Sequence, residues 1–116
     1  MKATLSLAAL ALGAALASPA LAVVVNLPVA GITQIVTRDT DQSAVFLTAA
    51  FTPNDGCGGT DRGLIVGTDP GAKALLSTVL LAFAMQKQVE VAIDGCVQGT
   101  NGTVTYPRIV KVKILG

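Results

Sequence analysis

The side chains able to do chemistry in this chain are few. There is no histidine among its 116 residues. A Ser-His-Asp or Cys-His nucleophilic arrangement therefore has no base to draw on within the chain. Among the carboxylates, Asp55 and Asp61 share one glycine-rich loop, and a pair of that kind is the minimum for acid/base hydrolysis of a glycosidic bond. The same residues also sit beside glycines as turn-formers do, in Asn54-Asp55-Gly56 and Thr60-Asp61, and the turn is the favoured reading. Asp39, Asp41 and Ser43 offer oxygen ligands, but a calcium loop needs about six to eight and a distal Glu, and this stretch is too short. The run Asp55 to Gly59 is glycine-rich, yet it does not follow a strand and open a helix as a phosphate loop does. Asn101-Gly102-Thr103 is a glycosylation sequon that reads more simply as a turn. The chain is expected to be no enzyme and to carry neither metal nor cofactor.

Cys57 and Cys96 are the only cysteines. In an exported chain such a pair favours a disulfide, closing a loop of about 40 residues worth roughly 3–4 kcal/mol in the chain-entropy model. Two free thiols or a metal pair are the alternatives, and without histidine zinc ligation is poorly supported. Binding by stacking has only Phe46, Phe51, Phe83 and Tyr106 to use. Phe51 and Phe83 fall on apolar faces, which leaves Tyr106, and Phe46 after it, for a surface.

Export is read from the N-terminus. Lys2 precedes an apolar run from Leu5 to Leu16, and Pro19 precedes Ala20-Leu21-Ala22. That is the pattern of a signal peptide over residues 1–22, cleaved before Val23. A membrane span is the competing reading, but the run is shorter than the roughly 20 apolar residues a span needs. Residues 23–116 then form one domain. Loss of Lys2 leaves equal numbers of basic and acidic residues, whereas a nucleic-acid binder shows a clustered basic excess. Nucleic acid is therefore not an expected partner.

The elements that must position these residues are short strands around one helix. Val29 to Arg38 is β-branched with Gly31 inside it, as in a long bent strand with a bulge. Ala44 to Thr52, Arg62 to Gly67, Val89 to Asp94 and Tyr106 to Leu115 follow as strands. Asp69 to Gln88 is the helix, with Asp69 as its cap and Pro70 in its first turn. Ala72, Leu75, Leu76, Val79, Leu80 and Phe83 share one inward face. Ala74, Leu81 and Met85 lie opposite, where a helix that only covers a core should be polar, and they mark a candidate oligomer face.

Five strands with a helix between the third and fourth is the order of an OB-fold, a partly open Greek-key barrel. An open α+β sandwich is the runner-up. The layout resembles the B subunits of bacterial AB-type toxins, with the subtilase-cytotoxin and pertussis-like groups nearest. The residues carrying the likeness are Thr68-Asp69-Pro70, the Leu75-to-Met85 helix, Asp94-Gly95-Cys96 and Tyr106 to Ile109. That resemblance implies a ring of subunits whose helices line a pore, and binding of cell-surface glycans.

The chain is thus expected to be an exported, non-enzymatic binding module with a glycan or an envelope or secreted protein as its partner. Its candidate ligand face is Tyr106, Arg108 and Asp94, and it is a candidate homo-oligomer. The alternative is an accessory envelope protein that takes no small ligand.

Overall fold

The computed structural model describes residues 24–38, 40–99 and 102–116. The signal peptide expected over residues 1–22 lies outside them, as do Val23, Asp39 and the sequon residue Asn101. The described protein is mainly β with one helix. Strands β1 (Val25–Asn26), β2 (Ala30–Thr37), β3 (Gln42–Leu47) and β4 (Gly63–Val66) precede helix α1 (Ala72–Ala84). Strands β5 (Gln88–Gln98) and β6 (Thr105–Ile114) follow it.

The strands form one sheet that closes in a ring. β5 pairs with β2, β2 with β3, β3 with β4, β4 with β6, and β6 with β5. Only the β4–β6 contact, at Leu64 and Arg108, is parallel. The sequence predicts five strands and the structure has six, because the lead-in residues Val25 and Asn26 pair with Ile93 and Ala92 of β5.

β2 divides its hydrogen bonds between two neighbours. Ala30 and Gly31 pair with β5, and Ile32 to Thr37 pair with β3, with a bulge between Ile32 and Gln34. That bend explains the imperfect alternation of the sequence. β3 stops at Leu47, short of the expected Thr52. Thr48 ends it: its N–H donates to the Gly31 carbonyl at 2.8 Å, and its hydroxyl accepts the Gly31 N–H at 3.1 Å. The chain then swings outward and returns to bury Phe51 completely.

β5 outruns its expected end at Asp94 and continues to Gln98. Two register shifts against β6, one between Ala92 and Ile93 and one between Ile93 and Cys96, let it do so. The core gathers Val45, Phe51, Val79, Val91, Ile93 and Ile109, and full burial of such side chains stabilises by about 1.5–3 kcal/mol each. Cys57 and Cys96 form the expected disulfide, with their Cα atoms 5.6 Å apart. It fastens the loop between β3 and β4 to β5. Beside it, the Asp55 carboxylate accepts the Gly95 N–H at 2.6 Å.

The helix differs from expectation at both ends. Its N-cap is Gly71, at φ 77°, with no side-chain cap. Asp69 and Pro70 form a turn ahead of it, in which the Ala72 N–H donates to the Asp69 carbonyl at 3.2 Å. The Asp69 carboxylate instead faces Arg108 at 3.4 Å. At the other end Met85 is the C-cap and Gln86 takes φ 54°. The Gln86 N–H donates to the Phe83 carbonyl and the Lys87 N–H to the Ala82 carbonyl, which is a Schellman motif. Glycine normally fills the left-handed position that Gln86 holds here. Gln86→Gly should therefore raise stability by about 0.5–1 kcal/mol, seen as a higher midpoint at unchanged slope in urea unfolding.

The inward face of α1 is narrower than its apolar pattern. Ala72, Val79 and Ala82 are buried, and Leu75 and Leu76 pack partly against the core. Leu80 and Phe83, expected inward, are 48% and 43% exposed. The buried stripe of Ala72, Val79 and Ala82 is narrow, and the bulkier Leu80 and Phe83 fall at its rim.

Candidate functional site

A cleft of about 90 Å³ opens on the outer surface of β3, β4 and β6, lined by Arg38, Gln42, Arg62, Leu64, Val104 and Tyr106 among others. Strand alternation puts these groups there. On β3, Val45 faces the core, so Gln42, Ala44 and Phe46 fall on the other side. On β4, Ile65 packs inward and Leu64 outward. On β6, Ile109 is in the core and Tyr106 projects toward the cleft.

Arg62, just ahead of β4, is the centre of the arrangement. Its guanidinium carbon lies 4.8 Å from the centroid of the Phe46 ring and 4.9 Å from that of Tyr106. Such cation–π contacts are worth about 0.5–1 kcal/mol each at exposed sites. Nε and Nη2 donate to the two carboxylate oxygens of Asp61, at 3.1 and 2.9 Å. The Arg62 guanidinium holds Asp61 below the usual carboxylate range, through that hydrogen bond first and through charge second. The Asp61 carboxylate in turn raises the pKa of Arg62.

Tyr106 is held by what surrounds it. A Cβ on Gly59 would lie 2.3 Å from Tyr106 Cε1, and a Cβ on Gly99 would lie 2.8 Å from Cε2. Both edges of the ring therefore rest where only glycine leaves room. The Gly59 N–H donates to the Thr105 carbonyl at 2.8 Å, which ties the Cys57 loop to β6. Gln42 closes the far side: its side-chain amide donates to the Gln98 carbonyl at 3.0 Å.

The structure brings Asp94 and Arg108 together, but away from this cleft. Arg108 Nε donates to the Asp94 carbonyl at 3.2 Å, and its Nη atoms lie 3.4 Å from the Asp69 carboxylate and 4.0 Å from that of Asp94. This cluster ties the turn before α1 to β5 and β6. Of the expected ligand-face trio, Tyr106 alone lines the cleft. Asp55 and Asp61 are both engaged locally, Asp55 by Gly95 and Asp61 by Arg62. The expected oligomer-face residues Ala74, Leu81 and Met85 are all exposed, Leu81 by 53% and Met85 by 52%.

Sequence reasoning missed Arg38, Gln42 and Arg62. The available signal is the pair of glycines Gly59 and Gly99, each in a glycine-containing loop and each placed to admit an aromatic ring. No protein-family model, curated protein or solved structure matches the chain.

Two outcomes test this geometry. Gly59→Ala should destabilise by about 1–3 kcal/mol through overpacking against Tyr106, measured by chemical denaturation. Asp61 has a folded pKa below its unfolded one, so its pair with Arg62 contributes fully above about pH 4 and is lost as the pH falls through the lowered value. The pair is largely exposed, so Asp61→Asn should cost less than about 1 kcal/mol at neutral pH, and its melting curve should converge on that of the wild type in acid.

Proposed function

We propose that this chain is an exported, non-enzymatic binding module, built as a five-stranded OB-fold-like Greek-key barrel and self-associating through α1. The ring order β2-β3-β4-β6-β5, with one parallel contact, supports the barrel reading. So does α1, which follows the third and precedes the fourth of those five strands once the short β1 is set aside. The disulfide is compatible with export. Among the described residues no helix is long and apolar enough to cross a membrane.

One observation carries the binding role. OB-folds take ligands on the face of their second and third strands, between the loop joining strands one and two and the loop joining four and five. The Arg62–Tyr106 cleft occupies that position: β3 and β4 form its floor, Arg38 comes from the first loop, and Gly99, Gly102 and Val104 come from the second. The partner is a glycan or a protein. Likeness in layout to the toxin B subunits extends the proposal to a ring of copies with α1 at the shared surface.

A second reading rests on α1 itself. Leu80, Leu81, Phe83 and Met85 are each between 43% and 53% exposed. An accessory envelope protein that takes no small ligand would dock a partner protein there.

Val104 is exposed on a loop, so Val104→Trp fills the cleft with little burden on the fold. A panel of immobilised glycans and purified envelope proteins should yield a ligand whose binding drops about tenfold or more, over 1.4 kcal/mol, in Val104→Trp. A ligand held equally by both forms places the site elsewhere. Leu81→Glu should break the oligomer into monomers by light scattering and leave the melting temperature within a few degrees of wild type. A wild-type monomer removes the self-association claim.

A further inference from the structure

The cleft has a sign. Among the described residues that line it there are two guanidinium groups, Arg38 and Arg62, and no carboxylate. Arg62 is held on three sides, with its guanidinium carbon over the Phe46 and Tyr106 rings and Asp61 across its Nε–Nη2 edge. The Nη1 donors carry no protein acceptor among the described residues. A guanidinium offers five N–H donors in a rigid fork, so this one is held in place with donors to spare. Arg38 is exposed, and its side chain makes no hydrogen bond or ion pair among the described residues.

Size limits what can enter. The cleft holds about 90 Å³, whereas pockets for whole drug-sized ligands run to roughly 300–1,000 Å³. A single water needs about 10–15 Å³ of cavity volume, so there is room for a compact group of several heavy atoms. Leu64 and Val104 supply an apolar wall beside the two cations. A compact anionic group with a short apolar stem meets both features.

We propose that the cleft between Arg38, Arg62 and Tyr106 is an oxyanion pocket, which takes the terminal carboxylate, sulfate or phosphate of a small ligand and leaves the remainder outside. This rests on the binding-module reading and names the chemistry of its anchoring group. Arg62 is the pre-positioned donor and Arg38 the one that closes from the loop. The Asp61 partner sets the limit: it neutralises one edge of Arg62, so the pocket suits a singly charged group of modest affinity.

The test uses the full mature chain with its disulfide intact, followed by amide NMR at constant ionic strength. Sodium glucuronate, sodium sulfate and sodium phosphate are titrated separately, with glucose as the neutral control. At least one oxyanion should shift the amides of Arg62, Gly99 and Val104 saturably below about 50 mM, and glucose should not. Arg38→Gln removes an exposed cation whose side chain makes no hydrogen bond or ion pair among the described residues, and it should weaken that binding about fivefold or more. Lys111→Gln makes the same charge change on an exposed β6 residue outside the cleft and should leave it within about twofold. The proposal is overturned if no oxyanion saturates, if glucose binds as well, or if Arg38→Gln and Lys111→Gln act alike. A neutral ligand that Val104→Trp blocks would sink the oxyanion pocket and leave the binding module standing. Failure of every ligand at the cleft would sink both.

Discussion

β6 has to satisfy two neighbours at once. It runs antiparallel to β5 from Thr105 to Ile114 and meets β4 in parallel at Leu64. Where β4 and β6 approach, the inward position on β4 is Gly63, and a Cβ there would lie 2.6 Å from Phe51 and 2.9 Å from Ile109. Phe51 and Ile109 are both fully buried, so the aromatic ring takes the volume that a β4 side chain would otherwise fill. That exchange sits where β4 pairs with β6 and the ring of strands closes. The register shifts in β5 serve the same end. They let one strand accept β1 and β2 on one edge and β6 on the other, while Cys96 stays in reach of Cys57.

The outer surface inherits its order from this closure. With Ile109 fixed inward, Tyr106 and Arg108 are fixed outward, and each is met by a different loop. Tyr106 receives Gly59 and Gly99 at its edges and Arg62 over its face. Arg108 receives Asp69 from the turn before α1 and Asp94 from β5. The first cluster leaves cationic donors facing solvent, and the second uses its charges on itself. The distinction between the proposed binding cleft and the Arg108 clamp therefore comes from which loops reach β6, since both clusters sit on neighbouring positions of one strand. The apolar rim of α1 is a third feature, beside the narrow buried stripe of Ala72, Val79 and Ala82.

Much of the fold was legible because the strands are β-branched runs bounded by turn residues. The disulfide was legible because the chain offers only two cysteines, behind an N-terminus with a signal-peptide pattern. β1 was not, since two residues carry no period. Nor was the extension of β5, because Gly95 reads as a loop residue until it is seen within the shifted register against β6. Local composition makes Asp69 a cap, but its carboxylate is drawn to Arg108, 39 positions away. Tyr106 could be picked out as a surface aromatic by elimination. Arg62 could not, because its rings come from β3 and β6 and nothing in its own segment announces them. Periodicity places Leu80 and Phe83 inward, because it gives the direction of a face but not its width.

The proposed binding role of the cleft depends on Arg62 being pre-positioned by its two rings and Asp61. The measurement that reaches this most directly is the ¹⁵N relaxation of Arg62 Nε in the free protein. A side chain held on three sides should give an order parameter near that of rigid backbone, about 0.85, whereas one swinging freely falls below about 0.6. A rigid Arg62 beside a freely moving Arg38 is the predicted result. An Arg62 as mobile as Arg38 would contradict the account, because the cleft would then hold no organised donor.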